Sequence, residues 1–263
     1  MRIEGRTALV TGATGGIGHA IARALAARGA KLVLTGRKTD VLGRLARELE
    51  AQVFAVDLAD RHSLEHLIER TEAVEILIAN AALPASGRIE AISDADIDAA
   101  IKVNLHVPIV QARSMAMRMT ARRSGHLVFI NSLAGKVAAP GSSLYNATKF
   151  GLRGFAQSQR QELHGTGVGV STIFPGFIRE AGMFAKSGVQ LPKGIGTRSP
   201  QEVAAAVVRA IEHDLGEVDV APPGLRVGAL VAGVAPTVSA TLQRWFGASQ
   251  IADDIARGQR GWR

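Results

Sequence analysis

Cysteine is absent from the 263 residues of this chain. That excludes a disulfide framework, a thiolate metal site and a cysteine nucleophile, and says nothing of the redox state of the compartment. Aromatic residues are scarce at 4%, and there is a single tyrosine. The net charge of +8 invites a nucleic-acid reading, which needs basic residues gathered on one face or interleaved with aromatics. Neither pattern is present. The basic residues are scattered, and the densest groups, Arg122-Arg123 and Arg257 to Arg263, fall at the end of a helix and at the terminus. No nucleic-acid partner is expected; a basic surface equally helps collect a polyanionic cofactor or substrate. The seven histidines lack metal-ligand spacing, so no metal is expected. No apolar run approaches the roughly 20 residues of a bilayer span. The start runs almost directly into an apolar strand, without the layout of a signal peptide. No transmembrane segment and a cytoplasmic location are the expectations.

What is present is enough apolar material, 47% of the chain, to bury one large core, and no stretch reads as a linker, so residues 1 to 263 are expected to form one domain. Short apolar runs alternate with amphipathic helical segments. Strands are expected at Thr7 to Thr11, Lys31 to Thr35, Val53 to Val56, Glu75 to Ala79, Gly125 to Asn131, Val168 to Phe174 and Glu217 to Ala221. Helices are expected near 17–28, 40–50, 61–70, 93–122, from Tyr145 to about His164, and 199–213. The alternation indicates a doubly wound α/β sheet. Ser93 to Asp96 resembles a capping box, and Ser199-Pro200-Gln201-Glu202 combines an N-cap, a proline at N1 and a capping-box Glu.

The first strand is followed at once by Gly12-Ala13-Thr14-Gly15-Gly16-Ile17-Gly18. A glycine cluster can be no more than a tight turn. Between a strand and a helix, however, its free amides and the positive end of the helix dipole form an anion site, which favours pyrophosphate. At the end of the second strand, where such folds read the adenosine ribose, Gly36 removes a repelling carboxylate and Arg37 can grip a 2′-phosphate with its forked donors. NADP(H) is therefore preferred over NAD(H), against the alternative that Arg37 and Lys38 only cap the strand. Asp57, before Leu58, can accept from an adenine amino group or cap a helix. Asn104, inside the helix expected at 93–122, is either exposed and incidental or kept for its polar side chain.

Tyr145 and Lys149 stand four apart and share a helix face. A solvated face would account for that spacing, but an ammonium near the phenol favours the phenolate and makes Tyr145 a candidate general acid/base. Ser132 lies at the C-terminal end of the fifth strand, where open α/β sheets bind ligands. Residues 177 to 198 show little periodicity and are expected to be a mobile segment over the site. The tail, 225 to 263, contains an apolar stretch from Val227 to Pro236 that suits a lid, a dimer contact or a membrane-surface helix, with lid or interface preferred.

Thr11-Gly12, Gly16-Ile17-Gly18, Asp57, Asn80-Ala81, Asn104, Ser132, Tyr145, Lys149 and Pro175-Gly176 occur in an order that resembles the short-chain dehydrogenase/reductase family over roughly residues 5 to 221. Ser132 precedes Tyr145 by thirteen residues, as in that family. The resemblance implies a Rossmann-like fold, with a parallel sheet of about seven strands and helices on both faces. It implies that Tyr145 is the proton donor for carbonyl reduction and the base for alcohol oxidation. Lys149 would hold the nicotinamide ribose, Ser132 would bond the substrate oxygen, and Asn104 would support a water leading from Lys149 to solvent. Cofactor contacts carry over to Gly12, Thr14, Gly16, Ile17, Gly18, Arg37, Lys38, Asp57, Leu58, Asn80, Ala81, Tyr145, Lys149, Pro175, Gly176 and Ile178.

The chain departs from the family pattern at three places. Ala82 stands where glycine is usual, and its methyl is expected to tighten the approach to the ribose. Asn131 replaces a frequent serine and is expected to be neutral. Glu180 stands where a threonine usually contacts the carboxamide, so that either Ile178 backbone contacts suffice or the loop is redirected. The function implied is interconversion of a carbonyl and an alcohol, physiologically as a reductase. Phe177, Met183, Phe184, Val189 and Leu191 suggest a hydrophobic or acyl-chain small molecule as substrate. The competing reading is a non-catalytic NADP(H)-binding sensor or scaffold. The resemblance also implies a homodimer or homotetramer.

Overall fold

Short apolar runs bounded by turn residues become strands covered on both faces. The computed structural model describes residues 1–189, 191, 195–245, 254–255 and 257–258. Its seven strands are β1 (Thr7–Val10), β2 (Lys31–Gly36), β3 (Gln52–Ala55), β4 (Ile76–Ala79), β5 (Gly125–Ile130), β6 (Val168–Pro175) and β7 (Glu217–Val220). They form one sheet in the order β3-β2-β1-β4-β5-β6-β7, and every pair is parallel. In register, Leu9 lies between Val33 and Leu77. The order reverses between β1 and β4, which opens a crevice at their C-terminal ends.

Alternation along each strand sends side chains to two separate cores. Ala8, Val10, Leu32, Leu34, Ile76, Ile78, Val128 and Ile130 face one, beneath α1 (Gly16–Ala26), α2 (Thr39–Leu49) and α8 (Pro200–His213). Leu9, Val33, Leu77, Leu127 and Phe129 face the other, with α3 (Arg61–Arg70), α5 (Val107–Ala121) and α6 (Ser143–Glu162). Both expected N-terminal caps are present. Ser199 and Glu202 exchange side chain and backbone bonds in a complete capping box, and the Ser93 hydroxyl accepts from the Asp96 N–H.

The expected helix over 93–122 is interrupted. The structure has α4 (Asp94–Ile101), a π-turn (Lys102–His106) and then α5. The Val107 N–H donates to the Lys102 carbonyl, five residues back rather than four. The extra residue turns Asn104 inward, where it is 1% exposed, and this settles the two readings left open for it. Its Oδ1 accepts from the Leu83 N–H at 2.7 Å and its Nδ2 donates to the Leu83 carbonyl at 3.0 Å. That reciprocal pair holds the loop after β4.

The segment expected to be mobile contains α7 (Gly182–Ser187), and its two ends pair through a bridge between Ile178 and Arg198. Gln190 and residues 192–194 of that expectation lie outside the described residues. The tail forms α9 (Pro223–Val234) and α10 (Pro236–Trp245); residues 246–253, 256 and 259–263 lie outside the described residues.

Candidate active site

The turn after β1 is built by close approach. A Cβ on Gly12, whose φ is +63°, would stand 2.9 Å from Ala81 Cα, and one on Gly18 would stand 2.4 Å from the Gly12 carbonyl oxygen. Neither position accepts a side chain in this arrangement. Asn80 holds the turn from the β4 side, its Nδ2 donating to the carbonyls of Thr11 at 2.8 Å and Gly12 at 3.2 Å. The Thr11 hydroxyl donates to the Ile78 carbonyl and accepts from the N–H groups of Asn80 and Ala81. Thr11 is thus the pin between the two turns at the crevice, a role its β-strand pattern did not signal. The start of α1 has no side-chain cap and no acidic residue in its first turn, which leaves the helix end suited to an anion.

Beside the turn, a Cβ on Gly36 would meet Thr14 Cγ2 at 2.9 Å and Oγ1 at 3.1 Å. The space a carboxylate would need there is filled by Thr14. Arg37 and Lys38 follow it and are exposed. Asp57 is exposed, and its Oδ1 accepts from the Ala59 N–H at 2.9 Å. Leu58 is buried in the core with α3, so it shapes the crevice wall from beneath. This cradle fits a dinucleotide: glycines where backbone must approach, an open helix N-terminus, and cations at the ribose end.

Ser132 follows β5 in extended conformation, its hydroxyl accepting from the Ala134 N–H at 3.1 Å and lying near enough to the Tyr145 phenol to act on its titration. Lys149 is 3% exposed, and its Nζ donates to the Ile130 carbonyl at 3.1 Å. It stands 5.7 Å from the centre of the Tyr145 ring. Burial pushes the Lys149 ammonium down to about 8. Burial pushes the Tyr145 phenol up to about 12, opposed by the neighbouring Ser132 hydroxyl. The direction for Tyr145 corrects the expectation that the lysine lowers it. The ammonium is turned to the Ile130 carbonyl and lies against the ring, so desolvation of the phenolate prevails.

A second layer of polar side chains locks this trio. Asn131, expected to be neutral, is 4% exposed and joins Ser132 to Lys149. Its Oδ1 accepts from the Ser132 N–H at 2.8 Å, and its Nδ2 donates to the Lys149 carbonyl at 3.1 Å. Gly135 makes room for it, since a Cβ there would lie 2.5 Å from Asn131 Oδ1. Asn146, next to Tyr145, donates to the carbonyls of Ala134 at 2.6 Å and Val137 at 2.8 Å. It staples the Ser132 loop to α6. Lys136, on the same loop, pairs with Asp219 at 2.7 Å and Glu217 at 3.0 Å on β7 and lies 4.0 Å over the Phe174 ring. Asn131 was expected to be neutral, and Asn146 and Lys136 were not expected at the site; an Asn beside each of Ser132 and Tyr145 was the available signal.

Asn104 bonds Leu83 through both polar ends of its side chain, so the side chain orders the loop after β4 beside the site. Ala82 follows Asn80-Ala81 on that loop and is half-buried.

On the remaining side, Pro175-Gly176 ends β6 beside Ala221, with a Gly176 Cβ placed 3.1 Å from Ala221 Cβ. Ile178 is buried at 3%. The bonds of its bridge are carried by the Phe177 carbonyl and the Arg179 N–H, so the backbone polar groups of Ile178 itself point away from Arg198. Glu180 adopts φ +68°, and its carboxylate pairs with Arg179 at 3.2 Å. The chain turns left-handed there, and Ala181 rests on Gly16.

Among the described residues no group of His, Cys, Asp and Glu could hold a metal ion. No described helix is long and apolar enough to cross a membrane.

The sequence profile of the short chain dehydrogenase family matches residues 6–191. Ketoacyl reductase HetN of Nostoc sp. is 33% identical over 259 residues, covering 93% of this chain and 90% of the relative. The 3-oxoacyl-[acyl-carrier-protein] reductase FabG of Rickettsia prowazekii is 32% identical, covering 67% of this chain and 74% of the relative. Among solved structures, a short-chain dehydrogenase from Sphingobium yanoikuyae in complex with NADPH superposes with a TM-score of 0.77 at 27% identity, covering 89% of this chain and 95% of the other. A metagenomic short-chain oxidoreductase in complex with NADP gives 0.71 at 31% identity, covering 84% of this chain and 99% of the other.

Proposed function

Because this chain belongs to the short-chain dehydrogenase family, and so is an oxidoreductase that uses a nicotinamide cofactor, we propose that it is an NADPH-dependent reductase converting a carbonyl to a secondary alcohol. The observation that carries this reading is the convergence of the Ser132 hydroxyl, the Tyr145 phenol and the buried Lys149 at the C-terminal end of β5. The bound cofactor supplies the hydride that the carbonyl carbon accepts. The oxygen must then gain a proton, and Tyr145 Oη gives it while Ser132 Oγ fixes the oxygen by a hydrogen bond. A phenol pushed up to about 12 stays protonated at any working pH. The Lys149 charge stabilises the phenolate left behind until solvent reprotonates it.

Preference for NADPH is supported by Thr14 filling the place of a ribose-binding carboxylate and by the exposed Arg37 and Lys38 beyond it. We further propose that Gly12, Gly16, Ile17, Gly18, Asn80, Ala81 and Asp57 line the dinucleotide, with Pro175, Gly176 and Ile178 at its nicotinamide end. The substrate is a 3-oxoacyl or similarly apolar carbonyl. That class is supported by the names of the relatives and by Phe177 and Phe184, whose rings stand 4.9 Å apart on the loop. A cytoplasmic homodimer or homotetramer completes the reading.

The experiment is NADPH consumption across 3-oxoacyl thioesters, ketones and aldehydes. Turnover that vanishes in Tyr145→Phe while NADPH affinity persists is expected. NADPH binding without turnover of any carbonyl would transfer the reading to a sensor or scaffold.

A further inference from the structure

The apolar surface of α9 and α10 is unlike the rest of the molecule. Val227, Leu230 and Val234 are 59%, 69% and 89% exposed, and Val238 on α10 is 54% exposed. With the exposed Pro223 the three on α9 recur at steps of four, three and four, which is one stripe along that helix, and Val238 continues the exposed apolar surface on α10. Ala229, on the inner side, is buried at 4%. Exposed apolar stripes of this kind mark interaction surfaces. The 12 residues of α9 reach roughly 18 Å, a length that lies on a bilayer and does not cross it.

Charge narrows the partner. Between Asp219 and Asp253 the chain has only two charged residues, Arg226 and Arg244, both basic. Arg226 flanks the stripe, one step before Val227. A two-fold pairing of this face with a second copy would bring like charges together, with no acid in the stretch to answer them. Anionic phospholipid headgroups answer both the stripe and its basic flank, and the whole chain carries +8.

The start of α9 lies at the rim of the candidate site. It follows β7 directly, at the C-terminal end of the sheet, where Ser132 also stands after β5. Pro222 lies against Gly196 of the covering loop, where a Cβ would stand 2.9 Å from Pro222 Cγ. We propose that α9 and α10 dock this protein on an anionic lipid surface, with the mouth of the site held at the interface.

The test is flotation of the full chain with vesicles of equal parts phosphatidylglycerol and phosphatidylcholine, against vesicles of phosphatidylcholine alone. The chain is expected to float with the anionic vesicles, less with the neutral ones, and less again at high salt. Leu230→Glu with Val234→Glu is expected to lower binding by roughly tenfold or more; the Gln pair at the same positions loses the apolar contact without adding repulsion and lowers it too. NADPH consumption with a soluble carbonyl stays unchanged in both. The proposal is overturned if the native chain stays at the bottom of the gradient, or if both pairs float as well as the native chain. It is also overturned if light scattering shows a native dimer that the double variants convert to monomer, which assigns the face to a second copy. Flotation is read without turnover, so this outcome is independent of the roles given to Ser132, Tyr145 and Lys149.

Discussion

Asn131 binds Ser132 and Lys149 at once, accepting from the N–H of the first at 2.8 Å and donating to the carbonyl of the second at 3.1 Å. One side chain therefore sets the spacing between the end of β5 and the face of α6. Asn131→Leu keeps the volume and leaves both backbone groups unpaired in a dry site. A loss of about 2 kcal/mol or more is expected from urea unfolding, with a larger fractional fall in kcat than in NADPH affinity. Asn131→Ser should retain part of the turnover. A leucine variant as stable and active as the native chain would sink the linkage.

Lys149 is expected to set the alkaline limit of activity. Its ammonium is pushed down to about 8 by burial, so it is charged below that pH and neutral above it. Reductive kcat/KM is expected to fall as pH rises through about 8, while Tyr145 stays protonated. Lys149→Arg holds its charge across that range, so whatever activity the variant retains should show no such limb in a pH profile. An unchanged limb would place the titration elsewhere.

Arg37 and Lys38 are expected to decide between the two nicotinamide dinucleotides. Loss of one charge-assisted contact to a phosphate is worth about 1.5–3 kcal/mol. Arg37→Ala is expected to weaken NADPH by roughly tenfold to a hundredfold and to leave NADH nearly unchanged, as read by fluorescence titration. Equal losses for both cofactors would remove Arg37 from the 2′-phosphate site.

Glu180 holds a left-handed backbone, with φ +68°, which costs a residue bearing a Cβ about 1–2 kcal/mol. Glu180→Gly should raise stability by about 1 kcal/mol, since the exposed Arg179 pair it gives up is worth little. Glu180→Thr, branched at Cβ, should lower the thermal midpoint. A midpoint that falls with glycine and rises with threonine would mean that this loop is not strained.

His126 makes the fold acid-sensitive. It is 1% exposed on β5, bonded to the Ser171 hydroxyl at 2.8 Å, and burial holds its imidazole down at about 4. Between about 6.5 and about 4 the unfolded chain binds a proton that the folded chain does not. Stability therefore falls as pH drops through that window, by about 3 kcal/mol for a shift of this size. Urea unfolding of the native chain and of His126→Asn at pH 7 and near pH 4.5 should show a smaller loss in the variant. Equal losses would assign the sensitivity to other groups.

The sequence by itself determined the parallel sheet, the glycine turn after β1, the N-caps at Ser93 and Ser199 and the places of Ser132, Tyr145 and Lys149. These are local patterns. An apolar run covered on both faces, a glycine between a strand and a helix, and two polar residues one helical turn apart each carry their geometry within a few residues. The tertiary structure alone decided the rest. Asn104 reads as a misfit in a helix until Leu83, twenty-one residues away, accepts and returns its hydrogen bonds. Asn131 reads as neutral until α6 brings the Lys149 carbonyl to it. The direction of the Tyr145 shift depends on how much water the folded site excludes, which no spacing along a helix reveals. The stripe on α9 is one more apolar segment in the sequence, and only the packed chain shows which of its faces was left without a partner.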